Sequence, residues 1–128
     1  MECVTAGDQP QTLKEENRMQ LSNHDEIMAA IENLQEVRVT FRSKEDGGAV
    51  LIRRCAPMDY APGSRALDKT PRYHFWDWES DSPRTHTLSL LASQILSVEV
   101  LDSSFDPASF VTWTTKWSIP RSTWGPFN

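Results

Sequence analysis

Apolar and polar residues alternate through most of the middle of this chain at the period of strands, and recur at helical spacing in one early stretch. Ile27, Ala30, Ile31 and Leu34 fall along one side of a helix. Ser22 with Asp25, or Asn23 with Glu26, supplies a start signal in which a side-chain oxygen caps a free backbone N–H and the acid suits the positive helix end. The helix is predicted to end near Leu34. It is too short to stand alone in water and must lie on another element.

Val37, Val39 and Phe41 then alternate with Arg38, Thr40 and Arg42, as in a half-buried strand. Asp46-Gly47-Gly48 is a turn signal. A second strand is predicted from Ala49 to about Cys55, stopped by Pro57, which cannot donate to a ladder. Residues 58–71 read as a long loop. The third strand is Tyr73-His74-Phe75-Trp76-Asp77-Trp78, followed by a turn at Ser80-Asp81-Ser82-Pro83. The fourth includes His86 to Leu90, with Leu88 and Leu90 inward. Ala92-Ser93-Gln94 makes a short step of about one helical turn. In the fifth strand Leu96, Val98 and Val100 are predicted inward, Ser97 and Glu99 outward. One helix and five strands with short antiparallel links give a mainly β (α+β) fold, a small curled sheet or barrel with the helix plugging one open end.

The flanks differ from this pattern. Residues 1–21 are polar and aperiodic and read as a mobile leader; residues 22–110 form the barrel domain. Residues 111–128 hold Trp113, Trp117 and Trp124, while Pro120 and Pro126 forbid a long helix. Rings of this size are not normally left in water. The favoured reading has the tail folding back onto the barrel; the other has it reaching a protein partner or a second copy in a homodimer.

At 128 residues the chain is one domain by length. The net charge of −5 argues against strong non-specific nucleic-acid binding, which needs a positive surface. Any nucleic-acid or nucleotide contact would come from a few arranged arginines. Cys3 and Cys55 are too few for a disulfide framework or a structural zinc site. With no secretory leader and no run long enough to span a membrane, the expected location is cytoplasmic.

Candidate chemistry is sparse. No phosphate-binding glycine loop, nucleophile elbow or Cys–His spacing is present, so the reading is of a non-enzyme without cofactor or metal. His74 and His86 fall on adjacent strands. Pairing Glu79 with Arg84 would set His86 opposite Asp77 and His74 opposite Ser89, too far apart along the ladder to share a metal. On the aromatic strand, His74, Trp76 and Trp78 share one face, and Tyr73, Phe75 and Asp77 the other. One face must be core; the rings more readily fill the barrel or meet the tail than stack a base.

The order of elements resembles the WYL domain, a bacterial module with an Sm-like (SH3-type) β-barrel, over about residues 24–110. The resemblance rests on the helix leading into Val37-Arg38-Val39-Thr40-Phe41, and on Arg53-Arg54-Cys55-Ala56-Pro57. Tyr73-His74-Phe75 stands at the three-residue signature. Ile95-Leu96-Ser97-Val98-Glu99-Val100-Leu101 and Phe105-Asp106-Pro107 close the pattern. Gln94 stands where the family usually carries an arginine of its ligand patch, and residues 1–21 do not supply the helix-turn-helix often attached to it.

The resemblance implies a regulatory or sensing module for transcription that binds a small anionic or nucleotide-like ligand or a short nucleic acid. Its ligand residues would be Arg53, Arg54, Arg72, His74 and Trp76. Arginine would hold an anion through paired hydrogen bonds, His74 would donate or accept, and Trp76 would stack. The alternative is a protein–protein interaction or homodimerisation subunit using the Trp-rich tail and the aromatic strand.

Overall fold

In the computed structural model, which describes residues 19–44, 47–63, 68–80 and 86–128, every strand pairs antiparallel with its neighbour. The expected leader lies outside these residues except for its last three, as do Asp46 and residues 81–83 of the predicted turn. The elements are α1 (His24–Glu32), β1 (Gln35–Ser43), β2 (Ala49–Pro62), β3 (Pro71–Asp77), β4 (Thr87–Leu90) and β5 (Ile95–Ser104). Single 3₁₀ turns lie at Ala92–Gln94, Pro107–Ser109 and Gly125–Phe127. The sheet order is β4-β3-β2-β1-β5. Its two outer strands, β4 and β5, are joined by residues 91–94 alone, so the sheet must curl to bring its edges round. The result is a small, mainly β barrel-like fold.

Period-2 alternation decides which side is core. Val37, Val39 and Phe41 of β1 are buried with Cys55 of β2, Tyr73 and Phe75 of β3, Leu90 of β4, and Ile95 and Val98 of β5. Ile27 and Ala30 of α1 close this cluster. Each fully buried aliphatic or aromatic side chain contributes roughly 1.5–3 kcal/mol, which is how nine helical residues are held in place. A second cluster lies across the sheet. There Ile31, Ala56 and Met58 meet Phe105, Phe110, Val111 and Trp124, so the tail packs on the barrel. The Trp124 indole N–H donates to the Ile31 carbonyl at 2.8 Å.

The helix boundaries match the expectation, but their chemistry does not. Asn23 is the N-cap residue, yet its side chain makes no cap; its Nδ2 donates to the Val98 carbonyl at 2.8 Å, a tertiary bond that ties the helix to β5. Asp25 and Glu26 do sit in the positive first turn. The helix ends at Glu32 with Asn33 as C-cap; Leu34 follows with a φ of 58°, the left-handed conformation found just past helix C-termini, and its carbonyl accepts the Phe105 amide at 3.0 Å.

Two strand predictions are corrected, and both by bulges. β2 does not stop at Pro57 but runs on to Pro62, so residues 58–62 are strand and not loop. The register shifts between Pro57 and Asp59, leaving Met58 as an extra residue where the missing proline donor is tolerated. In β5, Phe41 pairs with Ile95 and Thr40 with Ser97, so Leu96 is the unpaired extra residue. Ile95 takes the inward place expected of Leu96, which is 50% exposed on the outer face. Val50 and Ile52 of β2 are 49% and 56% exposed there as well. Gly47 and Gly48 take positive φ in the β1–β2 turn, as predicted. The pairing of β3 and β4 sets His74 opposite Ser89, and the Asp77 amide donates to the His86 carbonyl at 2.7 Å, both in the expected register.

Candidate functional site: a basic cleft between β1 and β4

β1 and β4 do not pair, and between the end of the first and the length of the second lies a cleft of about 350 Å³. Arg42 and Lys44 line it from the end of β1, Arg72 and Asp77 from β3, His86 from the start of β4, and Gln94 from the 3₁₀ turn. The local reason is the Phe41–Ile95 pair, which sets Gln94 beside the residues that follow Phe41.

The electrostatics of this cleft oppose those of the whole chain. Three permanent cations meet one carboxylate, Asp77, and that carboxylate already faces the Arg53 guanidinium at 3.5 Å. Burial raises the pKa of Asp77 above the usual carboxylate value, although the Glu79 amide and Arg53 partly offset it. The Nε of Arg72 is buried and has no hydrogen-bond partner among the described residues. An unmatched buried donor on a cation is costly unless an acceptor is supplied.

Two further groups add direction. His86 Nδ1 lies 2.9 Å from the Asp77 carbonyl, which can only accept, so Nδ1 carries the hydrogen and Nε2 is the acceptor of the neutral ring. Gln94 Oε1 accepts the Leu91 amide at 3.0 Å, so the amide offers its NH₂ as donor. A donor thus remains where the WYL pattern carries arginine, without the charge.

The five residues nominated from sequence are not gathered in one place. Arg72 lines the cleft, and Arg53 adjoins it through Asp77. Arg54 points elsewhere: its Nη1 donates to Glu36 Oε2 at 2.6 Å, and it lines a separate depression beside Trp78. His74 is fully engaged, with Nε2 donating to the Ala61 carbonyl at 2.8 Å and Nδ1 accepting from Ser89 Oγ at 2.7 Å. Trp76 is stacked against His86, Phe110 and Trp113, with ring centroids 5.1, 5.1 and 6.1 Å away. Tyr73 and Phe75, not His74 and Trp76, face the core. Arg42, Lys44 and His86 line the cleft but were not nominated as ligand residues from the sequence. The signal for Arg42 was present, because a β1 end placed against the turn before β5 puts its outward cation beside Gln94.

Among the described residues no three His, Cys, Asp or Glu side chains converge as a metal would require, and no helix is long and apolar enough to cross a membrane.

Comparison with solved structures finds a match to the Proteasome accessory factor B/C (PafBC) of Arthrobacter aurescens, with a TM-score of 0.51 over 91% of this chain and 14% identity. The likeness is one of fold, and it gives the chain a WYL-type domain fold. The chain spans 15% of that protein. No protein-family model and no curated protein sequence matches it.

Proposed function

We propose that this chain is a non-enzymatic regulatory module of WYL type that senses a small anionic or nucleotide-like ligand in the cleft between β1 and β4. One observation carries the reading: Arg72, whose buried Nε has no hydrogen-bond partner among the described residues, lines the cleft together with Arg42 and Lys44. A phosphate or carboxylate oxygen would satisfy that donor, and the surrounding cations would favour it electrostatically. The Gln94 amide supplies a further donor. The fold likeness supports a regulatory setting for such a module.

Trp76 stacks on His86, which lines the cleft, so tryptophan emission reports on occupancy. Titration with inorganic phosphate, pyrophosphate and a nucleoside diphosphate at low ionic strength is expected to give a saturable change that weakens with salt. Arg72→Gln is expected to weaken binding at least tenfold, about 1.4 kcal/mol. Arg54→Ala, on a residue paired with Glu36, leaves it unchanged. No response to any of the three anions at low salt, or equal binding by the Arg72→Gln variant, overturns the proposal.

A further inference from the structure

The polypeptide that follows β5 crosses the outer face of β3 and is fastened beyond it. Phe110 and Trp113 stack on Trp76, and between Trp113 and Trp117 above and Met58 and His74 below lies a groove of about 440 Å³. Residues 112–116 cross this groove with no backbone–backbone hydrogen bond among the described residues. Thr112, Trp113, Thr114 and Lys116 are exposed.

The fastening lies just beyond. The buried Asp59 carboxylate of β2 accepts the Ser118 amide at 3.0 and 3.1 Å and the Ile119 amide at 2.9 Å. The Arg121 side chain is 0% exposed, with its guanidinium 4.3 Å from the ring centre of Trp117 and 4.4 Å from that of Trp124. Its Nε and Nη2 donate to the Ile119 carbonyl. Its ion-pair contact is Asp59 Oδ1 at 3.8 Å, and Nη1 has no hydrogen-bond partner among the described residues. Burial lowers the Arg121 pKa to about 10. The buried cation is held by the Asp59 carboxylate at a distance, by the field of Glu32, by two aromatic faces and by a carbonyl, so removing the Asp59 charge weakens its hold.

The inner core holds none of these residues: the cluster from Ile27 to Val98 is built by α1 and the five strands. The crossing segment packs on the second cluster and is tied by hydrogen bonds to Asp59, Glu32 and the Ile31 carbonyl. We propose that residues 112–124 form a strap that opens as one unit while the sheet stays folded, with Asp59 and Arg121 as its latch. Closed, the strap lays Trp113 against Trp76. Open, it withdraws Trp113 from Trp76 while Phe110 stays stacked there. This device adjoins the anion cleft through the Trp76–His86 stack but does not rest on ligand binding there.

Amide-resolved hydrogen exchange on the full chain tests it. Asp59→Asn keeps the shape of the acceptor and removes its charge. The Ser118, Ile119, Ser122 and Trp124 amides are expected to exchange together at least tenfold faster, while those of Val39 and Val98 change less than twofold. Ser122 donates to Glu32 and Trp124 to Asn128, so their joint acceleration reports opening and not the loss of one local bond. Adding Arg121→Met removes the stranded cation and is expected to restore slow exchange. Equal acceleration of the sheet amides, unchanged Ser122 and Trp124 amides, or no restoration by the second substitution overturns the latch. Should Asp59→Asn fail to fold, the unsubstituted chain decides. Its strap amides must then exchange at least tenfold faster than its sheet amides, and equal rates overturn the proposal.

Discussion

The Tyr73 hydroxyl lies 2.7 Å from Nδ1 of His24 and accepts the Leu21 amide at 2.9 Å, so one oxygen in β3 fixes both the entry to α1 and its first residue. Burial pushes the Tyr73 pKa up to about 12, so the phenol keeps its proton. Tyr73→Phe preserves the ring in the core but strands the Leu21 donor. The expected loss is about 1–3 kcal/mol of unfolding free energy, measured by urea denaturation. A change within error would show that water replaces the hydroxyl.

His24 makes stability depend on pH. Burial, the dominant cause, holds its pKa below the usual 6.5, and Asp25 opposes this more weakly. The folded state therefore favours the neutral ring, and below pH 6.5 the unfolded chain binds more protons than the folded one. Stability is expected to fall on acidification through about 6.5 and to level off once the folded-state ring has also titrated. His24→Gln should flatten that slope. Asp77, whose carboxyl is raised, acts in the opposite sense, but in the lower carboxylate range. Denaturation midpoints that rise between about pH 7.5 and about pH 5.5 would contradict this assignment.

Gly48 has a φ of +87° and nothing within 4 Å of the position a Cβ would take, so its role is conformational and not one of packing. Its amide donates to the Ser43 carbonyl at 2.7 Å, which closes the β1–β2 turn. Gly48→Ala is expected to cost about 1 kcal/mol and to lower Tm by roughly 3–6 °C in a thermal melt.

Cys55 of β2 is fully buried and pairs with Val37 of β1. Desolvation pushes its thiol pKa up, helped by the charges of Asp77 and Glu79 and only partly offset by Arg53 and Arg54. In a Cys3→Ser background the folded protein is expected to resist a thiol-specific disulfide reagent and to react at once in denaturant. Prompt reaction of the folded form would mean that β2 opens locally.

How much of this was legible follows from where each signal is stored. Val37, Val39 and Phe41 carry their inward direction in their spacing, and the opposition of His74 to Ser89 followed from counting back across one hairpin. The bulges were not legible. Whether Leu96 or Ile95 faces inward depends on how β5 meets β1, residues more than fifty positions apart, and Pro57 reads as a stop until a bulge at Met58 accommodates it. The cap failed for a related reason: Asn23 finds a stronger tertiary partner in Val98. The cleft was hidden because it lies between two strands that do not pair, so no local pattern joins Arg42 to Arg72. Arg53 and Arg54, adjacent in sequence, were grouped, although alternation sends one toward Asp77 and the other toward Glu36.

That adjacency has another consequence. Ala49-Val50-Leu51-Ile52 is an uncharged, β-prone run, and Val50 and Ile52 stay half-exposed on the outer face of the folded sheet. Such a run can recruit a second chain into a shared cross-strand ladder whenever the barrel loosens. Arg53 and Arg54 follow it directly, and the Arg38–Glu99 ion pair stands beside it on the same face. Charges in these places act as gatekeepers, because an intermolecular ladder would have to desolvate and align like charges from every chain. The two arginines therefore protect the protein from its own most aggregation-prone segment.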